Sequence, residues 1–254
     1  MKIVYSDAFA AKYLSNPVES PSRVADASQL LRQRYPFLEP TAAQPSDISA
    51  VHETAHIQRV MDRGMYEPAA LAAGGAIASM ELALKGEPAF ALVRPPGHHA
   101  SAGHAWGMCF LNSIAIAVKR ALPRAGRVMI LDMDLHFGDG TASIFRWTPQ
   151  VRVVNPGAVD PNFDYIGLDA GAYIEQVKSS IEEASYDLLA ISAGFDTYVE
   201  DWGGLLTLSD FRELGRITKE AAQKSCDGRR FAVLEGGYHP DLKYCIASFL
   251  DGFS

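Results

Sequence analysis

The chain has 254 residues, 48% of them hydrophobic and 21% charged, with a net charge of −7 and a pI of about 5.5. That is enough apolar material for one large α/β domain over residues 1–254, with no linker or repeat to divide it. The acidic balance argues against nucleic acid as the main partner, no apolar run reaches membrane-spanning length, and the N-terminus is not read as a signal peptide. The odd set Cys109, Cys226 and Cys245 lacks metal-ligand spacing and points to a reducing, cytoplasmic setting.

Short apolar runs alternate with helical patterns along the chain. Strands are expected at Lys2–Ser6, Phe90–Arg94, Val128–Asp134, Val151–Val154, Leu188–Ala193 and Phe231–Glu235. Helices are expected at Arg23–Arg34, Ala55–Arg63, Ala69–Lys85, Cys109–Ala121, Gly140–Arg146, Tyr173–Glu183, Leu208–Lys224 and Leu242–Gly252. This alternation predicts an α/β fold, a mostly parallel sheet sandwiched by helices in three layers. The near-continuous apolar strands agree with burial on both faces.

The polar residues then fall at strand ends. Phe90–Arg94 runs into Pro95-Pro-Gly-His-His-Ala100. Val128–Asp134 runs into Asp132-Met-Asp-Leu-His-Phe-Gly-Asp-Gly140. Leu188–Ala193 ends in Gly194-Phe-Asp196, and Phe231–Glu235 in Gly236-Gly-Tyr238. Ligands of open α/β sheets bind at the carboxyl ends of the strands. Alternate residues of a strand share a face, so Asp132, Asp134 and His136 are expected to point the same way.

Asp134, His136 and Asp196 offer one imidazole and two carboxylates. Three protein ligands suit an open, catalytic metal site rather than a closed structural one. His98 and His99 follow a rigid Pro-Pro-Gly turn, and imidazoles titrate near neutral pH. Asp132 and Asp139 are surplus to the metal and available to orient them. Tyr238 follows two glycines and could donate its phenolic hydrogen to a developing oxyanion; a core tyrosine with a satisfied hydroxyl is the plain alternative.

These segments resemble the zinc-dependent histone deacetylase superfamily, which includes acetylpolyamine amidohydrolases and shares the arginase/deacetylase fold. Arg94–Ala100, Gly107-Met-Cys-Phe-Leu-Asn112, Asp132–Gly140, Ser192–Asp196 and Glu235–Tyr238 carry the likeness, with weaker matches at Asn16-Pro17, Pro21, Arg23 and Asp47–His52. The resemblance implies zinc, or alternatively ferrous iron, on Asp134, His136 and Asp196. It implies His99 as general base oriented by Asp139, His98 as its partner oriented by Asp132, and Tyr238 on the substrate carbonyl. Gly107 would accept the substrate amide N–H through its backbone carbonyl. The implied reaction is hydrolysis of an acylated amine, such as acetyl-lysine or an acetylpolyamine, with release of acetate.

The chain departs from that pattern in several places. Met108 stands where the family usually has a tunnel phenylalanine, giving a more adaptable wall. Phe137 replaces a second histidine that is not a ligand. Trp202, in Asp201-Trp-Gly-Gly204, replaces a common Asp-Pro and is expected at the pocket mouth, ordinary packing being the alternative. The second tunnel aromatic is left to Phe163 or Tyr165. Val153-Val154 lack the serine of the family's potassium site, so bound K+ is not expected. The segments Arg63–Ala72 and Val154–Tyr173 are short, which predicts an open rim or one completed in a homo-oligomer, and histone-tail specificity is not carried over.

His52-Glu-Thr-Ala-His56 fits the H-E-x-x-H spelling of zinc proteases. No third ligand follows, and His52 also fits the superfamily's helix entry, so the stretch is read as structural. His104 is expected near the rim, and His239 in a structural role. Two other functions fit the sequence less well. A manganese ureohydrolase would need more carboxylates than Ser192–Asp196 offers. A binding module without turnover would be signalled by loss of His99, Tyr238 or a ligand, and none is lost.

Overall fold

The computed structural model describes residues 1–13, 16–159, 164–165, 167–182 and 185–254. The elements run β1 (Lys2–Val4), a 3-10 turn (Asp7–Ala10), α1 (Ser22–Leu31), β2 (Phe37–Leu38), α2 (Pro45–Ser49), α3 (Thr54–Asp62), α4 (Tyr66–Leu84), β3 (Ala89–Ala91), α5 (Ser113–Ala125) and β4 (Val128–Asp132). They continue with α6 (Asp139–Phe145), β5 (Val151–Val154), β6 (Ala158–Val159), β7 (Asp164–Tyr165), α7 (Ala170–Glu182), β8 (Leu188–Ala193), α8 (Leu208–Cys226), β9 (Arg230–Leu234) and α9 (Leu242–Phe253).

Among the described residues, seven strands form one sheet in the order β2-β1-β3-β9-β8-β4-β5, and every pairing in it is parallel. Its central strands are buried along their whole length: β4 reads VMILD, β8 LLAISA and β9 RFAVL. Strands so apolar can sit only where helices cover both faces. Helices α4 and α5 pack together against β1, β3, β9, β8 and β4, while α1, α9, α8 and α7 form a contiguous layer that reaches β8 and β4. The three-layer α/β expectation therefore holds. No helix among the described residues is long and apolar enough to cross a membrane.

The topology gathers the chemistry. β3, β9, β8 and β4 are adjacent, although the chain visits them in the order β3, β4, β8, β9. The register places Asp132 beside Ser192, Ala193 beside Leu234, and Ala91 beside Val233. The polar segments that leave these strands thus start at one level on one edge.

Two boundaries differ from expectation for reasons that matter to the site. β4 stops at Asp132, so Asp134 and His136 stand in a turn and not on a strand face. Asp132 Oδ1 accepts the N–H of Asp134 (3.1 Å), and Asp134 Oδ1 accepts that of His136 (3.0 Å). These bonds two residues along are what carboxylates make in preference to a strand ladder. α5 begins at Ser113 rather than Cys109, because Asn112 caps it by accepting the Ala115 N–H at 3.0 Å. Residues 101–111 are thereby released as a loop at the site. The short edge strand β2, helix α2 and the antiparallel pair β6–β7 had no clear pattern in the sequence.

Candidate active site

The Asp134, His136 and Asp196 ligand atoms all lie within 4.8 Å of one another. His136 Nδ1 is 3.1 Å from Asp134 Oδ1 and 3.0 Å from Asp196 Oδ2. The remaining carboxylate atoms are held by backbone: Asp134 Oδ2 accepts the Gly236 N–H at 2.8 Å, and Asp196 Oδ1 accepts that of Leu135 at 3.0 Å. Asp196 Oδ2 is fully buried and, beyond the 3.0 Å approach of His136 Nδ1, accepts no hydrogen bond among the described residues. A buried carboxylate oxygen left this way is costly unless it meets positive charge.

Glycine makes the room beside it. A Cβ on Gly236 would lie 2.6 Å from Asp134 Oδ2 and 2.7 Å from Asp196 Oδ2. A side chain there would crowd both carboxylates, and one nitrogen with two carboxylates within 4.8 Å of one another fit a small divalent cation. The electrostatics agree. The two carboxylates against its Nδ1 hold the His136 imidazole up to about 10, against the pull of burial. Their field favours positive charge at this point.

A second cluster, His98, Cys109 and Glu235, is equally compact and wholly buried. It suits a metal less well. Burial pushes the Cys109 thiol well above its ordinary range, with Glu235 adding to the effect. Glu235 Oε2 is already bonded to the N–H groups of Gly97 (2.7 Å) and His98 (3.1 Å). Burial raises the Glu235 carboxyl to about 7. Glu235 thus fixes the turn that carries the histidine pair.

Each histidine of the pair has its own carboxylate. His98 Nδ1 is 3.1 Å from Asp132 Oδ2, and His99 Nδ1 is 2.7 Å from Asp139 Oδ1. The rings lie 4.0 Å apart at 41°. Burial works against charge on both, but the outcomes differ. Asp134 and Asp132 outweigh burial at His98 and hold it well above its ordinary value. At His99, burial and then the neighbouring His98 charge push the imidazole down to about 4. His99 is therefore neutral at pH 7. With its Nδ1–H given to Asp139, its Nε2 keeps a lone pair.

Tyr238 leaves β9 through Gly236-Gly237, and its N–H is held at 2.6 Å by Asp201 Oδ2. Its ring stacks on Trp202 (4.3 Å, 26°), and the Arg23 guanidinium carbon lies over the ring, 4.8 Å from its centroid. Burial raises the phenol far above its usual range, more than Arg23 offsets, so it stays a hydrogen-bond donor. Trp202 is 52% exposed and meets His136 edge to face at 5.9 Å, which brings it to the rim of the cluster. Gly107 has φ +58°, and a Cβ there would strike His99 Cδ2 at 2.5 Å, so only glycine admits this approach. Met108, also at positive φ (+64°), receives the Asn16 side-chain amide on its sulfur at 3.2 Å.

His98, His99, Gly107, Asp132, Asp134, His136, Asp139, Asp196, Trp202 and Tyr238 thus lie together in the structure, with Met108 next to Gly107 in the chain. Phe163 lies outside the described residues, as does the side chain of Tyr165. His104 is exposed, and His239 is half-buried with Nδ1 accepting the Asp241 N–H at 3.2 Å. The H-E-x-x-H pair is tied to backbone: His52 to Ser101 and Asn112, His56 to the Phe110 carbonyl.

Other contributors were not evident from sequence. Trp106 donates its indole N–H to Asp139 Oδ2 at 2.9 Å. Arg94 donates two buried hydrogen bonds to the Glu19 carboxylate (2.6 and 2.8 Å), while Arg23 donates to the carbonyls of Gly237 (2.7 Å) and Glu235 (2.5 Å). The presence of arginine in strand-end and loop motifs was the available signal; the partners lie too far away in sequence to be paired.

Comparison with known proteins identifies the family. The model of the histone deacetylase domain matches residues 17–156 and 168–253. Histone deacetylase 8 of Arabidopsis thaliana is 34% identical, over 76% of this chain and 61% of that protein, so this chain spans about three fifths of its length. A probable deacetylase of Archaeoglobus fulgidus is 33% identical over 81% of this chain and 70% of its own. The crystal structure of an acetylpolyamine aminohydrolase from Burkholderia pseudomallei superposes with a TM-score of 0.83 at 25% identity, covering 100% of this chain and 98% of that one. The HDA15 HD domain shares the fold, with a TM-score of 0.86 at 22% identity over 100% of this chain and 90% of that one. On this evidence the chain belongs to the histone deacetylase domain family.

Proposed function

We propose that this protein is a metal-dependent amidohydrolase that removes an acetyl or related acyl group from an acylated amine. The observation that carries the reading is the convergence, at four adjacent strand ends, of an Asp-His-Asp cluster, two His–Asp pairs and a half-buried tyrosine. The relatives named as deacetylases and as an acetylpolyamine aminohydrolase support the same class.

Asp134, His136 and Asp196 would hold the ion, zinc by the chemistry of the donors. Such an ion supplies Lewis acidity, which polarises a carbonyl and acidifies water. His99, neutral and with Nδ1–H anchored on Asp139, takes the proton of the attacking water at Nε2, and a histidine of the pair returns a proton to the amine nitrogen as the C–N bond breaks. His98, held protonated between Asp132 and Asp134, places fixed positive charge beside the developing negative charge. Tyr238 donates its O–H to the carbonyl oxygen as charge accumulates there, the stage at which a preset donor contributes most. The Gly107 carbonyl accepts the substrate amide N–H and aligns the bond to be broken. Met108 and Trp202 flank the entry.

The test is hydrolysis of an acetyl-lysine peptide, acetylputrescine, acetylspermidine and a longer-chain acyl-lysine by zinc-supplied protein, with and without chelator. Chelator-sensitive release of acid from one class is expected. No release from any of them, by protein carrying one ion per chain, would refute the reading; urea release from arginine or agmatine would replace it.

A further inference from the structure

We propose that Trp106 is a positioning residue for the His99–Asp139 pair, an inference that rests on the hydrolase reading for its kinetic consequence but not for its geometry. Asp139 needs such help. Its side chain is 36% exposed, against 4% for His99. A half-exposed carboxylate held at one oxygen can rotate its other oxygen toward water and take the imidazole with it. Here both oxygens are engaged: His99 Nδ1 holds Oδ1 at 2.7 Å, and the Trp106 indole N–H holds Oδ2 at 2.9 Å.

The same indole lies against the imidazole it serves. Its ring is 3.8 Å from that of His99 at 31°, and His98 flanks His99 at 4.0 Å and 41°. The three side chains close a loop in which Trp106 stacks on His99 and bonds the carboxylate that orients it. An indole donates but does not accept, so it fixes the carboxylate without competing for the proton that His99 must take. Trp106 also directly precedes Gly107, whose close approach to His99 depends on the path of this loop. Indole stack and indole bond therefore act on one object, the angle at which Nε2 is presented. The effect of losing the bond is of the size of one hydrogen bond to an ionised group, about tenfold in rate.

The first test needs no substrate. The chain has three tryptophans, and Trp147 and Trp202 are 83% and 52% exposed, so the indole N–H signals of full-length, zinc-supplied protein separate by solvent exchange. The Trp106 signal, assigned by its loss in Trp106→Phe, is expected to exchange at least about tenfold more slowly than that of Trp147, and to lose that protection in Asp139→Ala. The downfield Nδ1 proton of His99 is expected to shift or broaden in Trp106→Phe, which keeps an aromatic ring at this position and removes the donor. An indole signal indifferent to Asp139→Ala, or a His99 proton indifferent to Trp106→Phe, overturns the proposal.

The second test is a double-mutant cycle on the acetyl-lysine peptide. Trp106→Phe is expected to lower kcat about tenfold with KM little changed, and to cost nothing further in an Asp139→Asn background. An equal loss in both backgrounds means that Trp106 acts elsewhere, as a wall of the entry, and overturns the proposal. If wild-type protein hydrolyses no acyl-amine, the hydrolase reading fails alone, and the two proton signals still decide whether Trp106 holds the pair.

Discussion

His52 gives the fold a pH dependence that can be worked out in advance. Its side chain is buried, with the residue 3% exposed, and its bonds fix its state: Nδ1 donates to the Ser101 carbonyl, while Nε2 accepts the Asn112 N–H, both at 2.9 Å. Only the neutral Nδ1–H tautomer satisfies both. Burial, then the nearby His56, push the imidazole down to about 4, whereas an unfolded chain protonates histidine near 6.5. Between those values the unfolded state binds a proton that the folded state refuses. Stability therefore falls as pH falls below 6.5 and levels off below about 4. The loss is about 1.4 kcal/mol per pH unit, or about 3 kcal/mol over the whole interval. Urea unfolding at pH 8 and pH 5 measures part of it. Wild type should lose about 2 kcal/mol more than His52→Gln between those points, because glutamine takes up no proton and the titrating groups away from the His52–His56 pair cancel in the difference. Parallel pH dependences would refute the assigned tautomer and its origin in burial. The consequence reaches the site, since Ser101 and Asn112 bracket the loop bearing Trp106, Gly107 and Met108.

Three further outcomes follow from the roles proposed above. His99→Ala should keep its metal, measured by elemental analysis, and lose about 10²- to 10⁴-fold in kcat; a full rate removes His99 from the chemistry. Tyr238→Phe should lower kcat by about 10²-fold, with a much smaller change in KM; a rise in KM alone would refute the oxyanion role. Asp196→Asn should abolish stoichiometric metal, and Gly236→Ala should do the same by setting a methyl group 2.6 Å from Asp134 Oδ2 and 2.7 Å from Asp196 Oδ2. Metal retained at one ion per chain by either variant, in folded protein, would refute the assigned cradle.

Why these residues were legible from sequence, and others were not, has a physical basis. A parallel sheet puts its ligand edge at the carboxyl ends of its strands, so His98, His99, Asp132, Asp134, Asp196 and Tyr238 announce themselves by following apolar runs. The order β3-β9-β8-β4 then makes neighbours of segments far apart in the chain. Local geometry was less legible. Strand alternation predicts a shared face for Asp132, Asp134 and His136, but side-chain bonds from Asp132 and Asp134 to the backbone end the strand first and bend the chain. The outcome for the cluster is the same by a different route: a turn, not a pleat, aims Asp134 and His136 at Asp196.

What sequence left hidden is the set of groups that hold the reacting residues still. Trp106 finds Asp139 33 positions later, Arg94 finds Glu19 across 75, and Arg23 finds the Gly237 carbonyl across 214. None of these pairs has a spacing that one element could impose; each exists only after the sheet has assembled. The residues that react must carry a particular chemistry and so stand out by type. Those that position them need only a donor or an acceptor at the right point in space, which many residue types at many distances in sequence can supply. His52 shows the distinction most sharply. Its spelling with His56 resembles a metal site, yet both its nitrogens are committed to backbone groups, leaving no lone pair for an ion and fixing instead the two ends of the loop on which the general base depends.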